Sequence, residues 1–141
     1  MKCENDKYLC EHFPLTFKDR RSNMQSTCMY WGFCCGDGWF DLIREAAEKI
    51  EPMLEKMPEG KRGRPTSMQV KEKYGGLRWY WGINKNEIRA IVDEVEKRSY
   101  KICETCGKLG NLRGNNWFYV SCDEHKDVND PDILESDEDE E

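Results

Sequence analysis

Histidine is scarce in this chain, which carries only His12 and His125. That scarcity removes several chemistries at once. A histidine-built metallonuclease needs more imidazoles than two. If a metal takes His125, only His12 is left to activate a Ser or Cys nucleophile, and nothing orients it. Phosphate-binding loops are missing as well. "CGDGW" (Cys35 to Trp39) and "YGGLR" (Tyr74 to Arg78) have neither the Lys of a P-loop nor the glycine spacing of a dinucleotide fingerprint. A zinc deaminase would place HxE ahead of PCxxC, whereas here the CxxC comes first and no Pro precedes it. The expectation is a protein that is not an enzyme.

Long apolar runs are also lacking. No segment approaches the ~20 residues that span a bilayer, and "MKCENDKYLCEHF" has no apolar signal-peptide core. The expected setting is therefore cytoplasmic, with no membrane partner. Eight cysteines in a reducing compartment read as metal ligands or packed thiols rather than as disulfides.

Charge of one sign is nearly absent from the body. The net charge is −6, yet Lys126 to Glu141 ("KDVNDPDILESDEDEE") alone carries −8, which leaves +2 for residues 1–125. A general duplex-DNA binder would be clearly basic. The last stretch has too little apolar material to fold and is expected to be a disordered acidic tail over 126–141, with Ile133 and Leu134 set among acids as in a short docking segment.

What is present suffices for one domain, at 38% hydrophobic residues with five Trp and five Phe. In "WFDLIREAAEKIEPMLEKM", Leu42, Ile43, Ala46, Ala47, Ile50 and Leu54 recur at helical spacing, with Asp37 and Asp41 near the start and Pro52 expected to end or kink the helix. "PEGKRGRPTS" is a loop. "MQVKEKYGGLRWYWG" is a hairpin, with Met68, Val70, Leu77, Trp79 and Trp81 on one side and Gly75-Gly76 between the halves. "NKNEIRAIVDEVEKRS" is a second amphipathic helix along Ile88, Ile91, Val92 and Val95, capped by Asn84 or Asn86. Trp117 to Ser121 is a further strand.

The most informative stretch is "CETCGKLGNLRGNNWFYVSCDEH". Cys103 and Cys106 form a CxxC pair, and after fifteen intervening residues Cys122 and His125 form a CxxH pair. Zinc takes four such ligands in a tetrahedron, and a CxxC turn brings two sulfurs to one point because the backbone reverses between them. Gly107 stands where such a turn needs positive φ. The spacer has room for a short hairpin. Four protein ligands leave no open position for water, so one structural Zn²⁺ is expected, supplying folding free energy rather than catalysis.

A second site is a weaker candidate. Cys10, His12, Cys28 and Cys35 (or Cys34) lie within the first 35 residues, but their spacing matches no standard pattern. Ligand-binding candidates come from the basic, aromatic segment 61–81: Arg62, Arg64, Lys73 and Arg78 for phosphate, and Trp79 for stacking. The competing reading makes Trp79 and Trp81 core and the cations a solvated face.

The fold expected is α+β: two helices on a small antiparallel sheet, a single domain over 1–125 closed by a zinc-ribbon or treble-clef-like knuckle, then the tail. Three motifs in order, "TCMYWGFCCGDGWFDLI", "QVKEKYGGLRWYW" and "SYKICETCGKLGNLRG", with the later Trp and "CDEH", resemble a family of small uncharacterised bacteriophage and prophage proteins over Thr27 to His125. That resemblance implies expression inside an infected bacterium. The expected role is an accessory protein that binds and inhibits a bacterial host or anti-phage defence protein; the alternative is binding or sequestering of a nucleic acid or a cyclic or other nucleotide.

Overall fold

The computed structural model describes residues 1–21, 29, 32–58, 60, 63–114 and 116–127. The expected disorder of the tail therefore lies almost wholly outside the described residues. Among the described residues are three α-helices and two small sheets: α1 (Cys3–His12), β1 (Phe33–Cys34), α2 (Phe40–Lys56), β2 (Ser67–Lys73), β3 (Gly76–Trp81), α3 (Asn86–Ser99), β4 (Asn111–Arg113) and β5 (Tyr119–Ser121). β1, β2 and β3 form one sheet in that order, and β4 pairs with β5 in a separate ribbon. No described helix is long and apolar enough to cross a membrane.

α2 and α3 follow the expected stripes. Leu42, Ile43, Ala46, Ala47, Ile50 and Leu54 are buried on α2, and Ile88, Val92 and Val95 on α3. Pro52 does not end α2, which continues to Lys56. A helix-interior proline costs ~3 kcal/mol or more, and what offsets it is visible on either side. Leu54 is buried, and the buried carboxylate of Glu51 accepts the Leu15 N–H, the Thr16 N–H and the Thr16 hydroxyl at 3.0, 2.9 and 2.7 Å. At α3 neither Asn84 nor Asn86 caps: the N-cap position is Lys85, with no side-chain bond.

Two expectations are corrected. The helices number three, because α1, with a single buried residue, Leu9, has too weak an apolar stripe to be read as a helix. Long-range contacts hold it. The Met1 ammonium donates to the Cys35 carbonyl at 2.9 Å, and the Asp37 carboxylate accepts the Lys2 N–H and the Asn5 amide at 2.7 and 3.0 Å. The main sheet is mixed rather than antiparallel, since β1 runs parallel to β2 while β2 and β3 form the expected hairpin. A two-residue strand is too short to carry a sequence pattern.

The hairpin turn is Tyr74-Gly75, both at positive φ (53° and 89°), as a two-residue turn matching strand twist requires. Gly76 is instead in β3, where the Tyr100 ring lies over it and would collide with a Cβ. Val70, Leu77 and Trp79 face the core as expected. A bulge between Ser67 and Gln69 turns Ser67 inward in place of Met68, and the Ser67 hydroxyl accepts the Trp79 indole N–H at 2.9 Å.

Candidate metal centre

Gly107 has φ +86°, and its N–H donates to the Cys103 carbonyl at 2.9 Å while the Cys103 N–H donates to the Lys108 carbonyl at 2.7 Å. That tight turn aims Cys103 and Cys106 to one side. β4 and β5 return the chain in the register Asn111↔Ser121 to Arg113↔Tyr119, so Cys122 emerges beside the turn, and the His125 N–H closes on the Cys122 carbonyl at 3.1 Å. The fully buried Arg113 fixes this second arm: its Nε donates to the Ser121 carbonyl at 3.1 Å and its Nη2 to Asp123 at 2.9 Å, between the two ligands.

The four ligand atoms all lie within 4.8 Å of one another. Cys103 Sγ is 3.7 Å from His125 Nδ1, Cys106 Sγ is 3.7 Å from Cys122 Sγ, and Cys122 Sγ is 3.2 Å from His125 Nδ1. In a tetrahedron the edge is about 1.6 times the bond, so zinc bonds of ~2.0 to 2.3 Å put ligand atoms roughly 3.3 to 3.7 Å apart. The cluster fits zinc in residue type, number and spacing. Its electrostatics point the same way. Burial opposes ionisation of Cys103, but the backbone N–H groups of Cys122, Cys106 and Thr105 bring its thiol down to about 6. Cys122 is also held below the usual thiol range: desolvation opposes this, and His125 with nearby backbone N–H groups overcomes it. His125 is pushed up by its bonds to Cys122 and Cys103. Cys106 moves the other way: the Lys108 backbone lowers it, but desolvation and the hydrogen bonds to Cys103 and Cys122 raise it above the usual thiol range, so two of the three thiols are poised as thiolates for a cation.

The seat under this centre is "CGDGW", whose role the sequence reading missed. The Gly38 N–H donates to the Glu104 carbonyl at 2.7 Å, the Gly36 N–H to the Glu104 carboxylate at 2.9 Å, and the Trp39 indole to the Ile102 carbonyl at 2.9 Å. A Cβ on Gly38 would collide with the Cys103 carbonyl, and one on Gly36 with that of Glu104. These glycines let two backbones touch. The sequence clue was a Gly-x-Gly beside an aromatic with no phosphate-loop Lys after it.

The described N-terminal candidates, Cys10, His12 and Cys35, form no metal-capable group. Cys103, Cys106, Cys122 and His125 are the one metal-capable group among the described residues. Cys10 donates to Asp6 at 3.4 Å, and His12 stacks on Tyr8 with its Nδ1 2.9 Å from the Tyr8 carbonyl. Burial first, then the Glu104 carboxylate, pushes the Cys35 thiol up to about 12. Such a group is a neutral core thiol. Cys28 lies outside the described residues. None of the seven described cysteines is in a disulfide.

The basic segment divides. Trp79 is core, stacked between Phe17 and Trp81. Arg64 is turned to the Met57 carbonyl at 3.0 Å. Arg78 pairs with Glu96 at 3.1 Å and donates to the Tyr100 hydroxyl at 3.1 Å, while Lys73 stays exposed. Arg62 lies outside the described residues. The four described candidates, Arg64, Lys73, Arg78 and Trp79, therefore do not form one site. Comparison with protein-family models, curated proteins and solved structures finds no match to this chain.

Proposed function

We propose that this protein is a zinc-stapled binding module that acts without catalysis. The observation carrying the reading is the Cys103, Cys106, Cys122 and His125 tetrad, whose spacing fits tetrahedral zinc and whose four positions leave none for water. Such an ion would close a zinc-ribbon-like knuckle against Gly36 and Gly38 and supply folding free energy to a small domain. Its phage-like sequence motifs place it in an infected bacterial cytoplasm. There it would act by stoichiometric binding, inhibiting a host or anti-phage defence protein. The acidic end with Ile133 and Leu134 is the segment suited to engage a basic partner.

Native mass spectrometry of chain purified from bacteria without chelator tests this directly. One zinc per chain and a stoichiometric bacterial protein, lost when 126–141 are removed, are expected. A metal-free chain would overturn the zinc reading, and turnover abolished by a single side-chain change in a folded, zinc-loaded protein would overturn the non-catalytic one.

A second reading is nucleic-acid or nucleotide binding by the basic, aromatic segment. One observation favours it: with Trp79 taken into the core, Lys71, Lys73, Arg78 and Tyr80 remain together on the opposite face of the hairpin.

A further inference from the structure

Residues directly opposed in an antiparallel pair project to the same side of the sheet. Val70↔Trp79 and Glu72↔Leu77 therefore share the face that buries Val70, Leu77 and Trp79. Lys71↔Arg78, Gln69↔Tyr80 and Lys73↔Gly76 share the other. That outer face is open to solvent at Lys73 and Tyr80 and half-buried at Gln69, Lys71 and Arg78. Tyr80 is 41% exposed and Tyr74, at the turn, 68%, with the Lys73 ammonium 5.8 Å from the Tyr74 ring centre. Tyr100 adds a third ring over Gly76, and its hydroxyl holds Arg78.

The face continues past the strand edge. A groove of about 330 Å³ between β3 and α3 is lined by Arg78, Tyr80 and Trp81 on one side and by Lys85 and Arg89 on the other. The Trp81 indole N–H in its wall is buried with no acceptor among the described residues. Two acids also line it. Glu96 is already paired with Arg78, which leaves Asp93 as the groove's other carboxylate.

We infer that this outer face and groove bind single-stranded nucleic acid, an inference that rests on the second reading above and sharpens it. Cations for phosphate alternate with rings for bases, the combination that holds single strands without reading sequence. The cations are strung out rather than gathered: Lys73 by the turn, Lys71 and Arg78 mid-strand, Lys85 and Arg89 beyond the far end. One phosphate group would need them around a point; a strand needs them in a line. The net charge near +2 outside the acidic tail does not oppose this, because Lys71, Lys73, Arg78, Lys85 and Arg89 outnumber the two acids of this face and groove, Asp93 and Glu96.

The test uses the full zinc-loaded chain and labelled mixed-sequence DNA and RNA single strands of roughly 16 nucleotides, the upper end of single-domain site sizes. Fluorescence anisotropy is read between about 50 and 200 mM salt. Binding that weakens with salt is expected. Lys73→Ala should make the slope of log affinity against log salt shallower by about 0.7, the value for one lost phosphate contact on a single strand. Tyr80→Ala should weaken binding about tenfold at every salt, as loss of one stacked base does. Both side chains are exposed, and unchanged zinc content and melting would show the fold intact. No binding at low salt of the strands, AMP or ATP overturns both the inference and the reading it rests on. Strand binding indifferent to both changes overturns only the placement. Saturation by AMP or ATP without strand binding overturns the strand assignment, as does capture of a protein partner that these changes abolish.

Discussion

Cys103 and Cys35 are both buried thiols, and their surroundings drive them in opposite directions. Three backbone N–H groups converge on Cys103 and bring it down to about 6 against the cost of burial; Cys35 meets burial and the Glu104 carboxylate, and is pushed up to about 12. One is ready to bind a cation and the other is a small apolar filler. Cysteine number says nothing about which is which. The difference comes from the CxxC turn, whose reversal supplies a second sulfur and the Thr105 and Cys106 N–H donors, together with the Cys122 N–H brought in by the returning arm; Cys35 has neither.

The largest effect that tests this contrast is removal of one ligand. Structural zinc supplies on the order of 10 kcal/mol or more to small modules, so Cys106→Ser should abolish zinc binding and lower stability by several kcal/mol. Cys35→Ser exchanges a packed thiol for an unpartnered hydroxyl and should cost only about 1 to 3 kcal/mol with zinc retained. Urea unfolding with parallel metal analysis reads both. Metal loss in the Cys35 variant, or an unaffected Cys106 variant, would break the comparison. Next in size is Gly38→Ala, whose new Cβ meets the Cys103 carbonyl. Overpacking of this kind costs about 1 to 3 kcal/mol, and here it should also weaken zinc affinity although no ligand is changed. Equal zinc affinity in this variant would show that the seat does not support the centre.

The four tetrad residues were legible in sequence because ligand spacing reports local chain geometry: Cys103 to Cys106 and Cys122 to His125 are each closed by a single turn. α2 and α3 were legible for a similar reason, since their periodic stripes are local. What stayed hidden was contact between distant segments. The pairing of β1 with β2, the docking of α1 through Met1 and Asp37, and the Gly36–Gly38 seat for Glu104 join residues more than thirty positions apart. The "CGDGW" glycines could be excluded as a phosphate loop, but only the fold shows what crosses them. Trp79 and Arg78 were grouped as one ligand site because they are neighbours in sequence. Strand alternation puts them on opposite faces.

A subtler consequence of the contrast lies in pH. A thiol whose folded value is raised gives stability that is complete below its unfolded value near 9 and lost as pH rises toward 12. Cys35 should therefore destabilise the protein above about pH 9, and Cys35→Ala should flatten that alkaline arm. Cys103 has the opposite sign. Its depressed value gives the zinc-free protein stability that is complete above about 9 and lost as pH falls through about 6, and protons compete with zinc over the same acid range. Zinc release followed with a chromogenic chelator should rise as pH falls through that region. An alkaline arm that survives Cys35→Ala would remove Cys35 from its cause.

The smallest expected effect is the most discriminating for the N-terminal cysteines. His12 is exposed, stacks on Tyr8 and belongs to no metal-capable group among the described residues, so His12→Ala should change stability by about 0.5 kcal/mol or less and leave one zinc per chain. The same substitution at His125 takes one of the four ligands and should empty or weaken the centre. The two histidines then give opposite answers in one metal assay. A fall from two zincs to one in the His12 variant would mean that Cys28 completes a second centre with Cys10, and that poor spacing alone is no guide to which thiols meet.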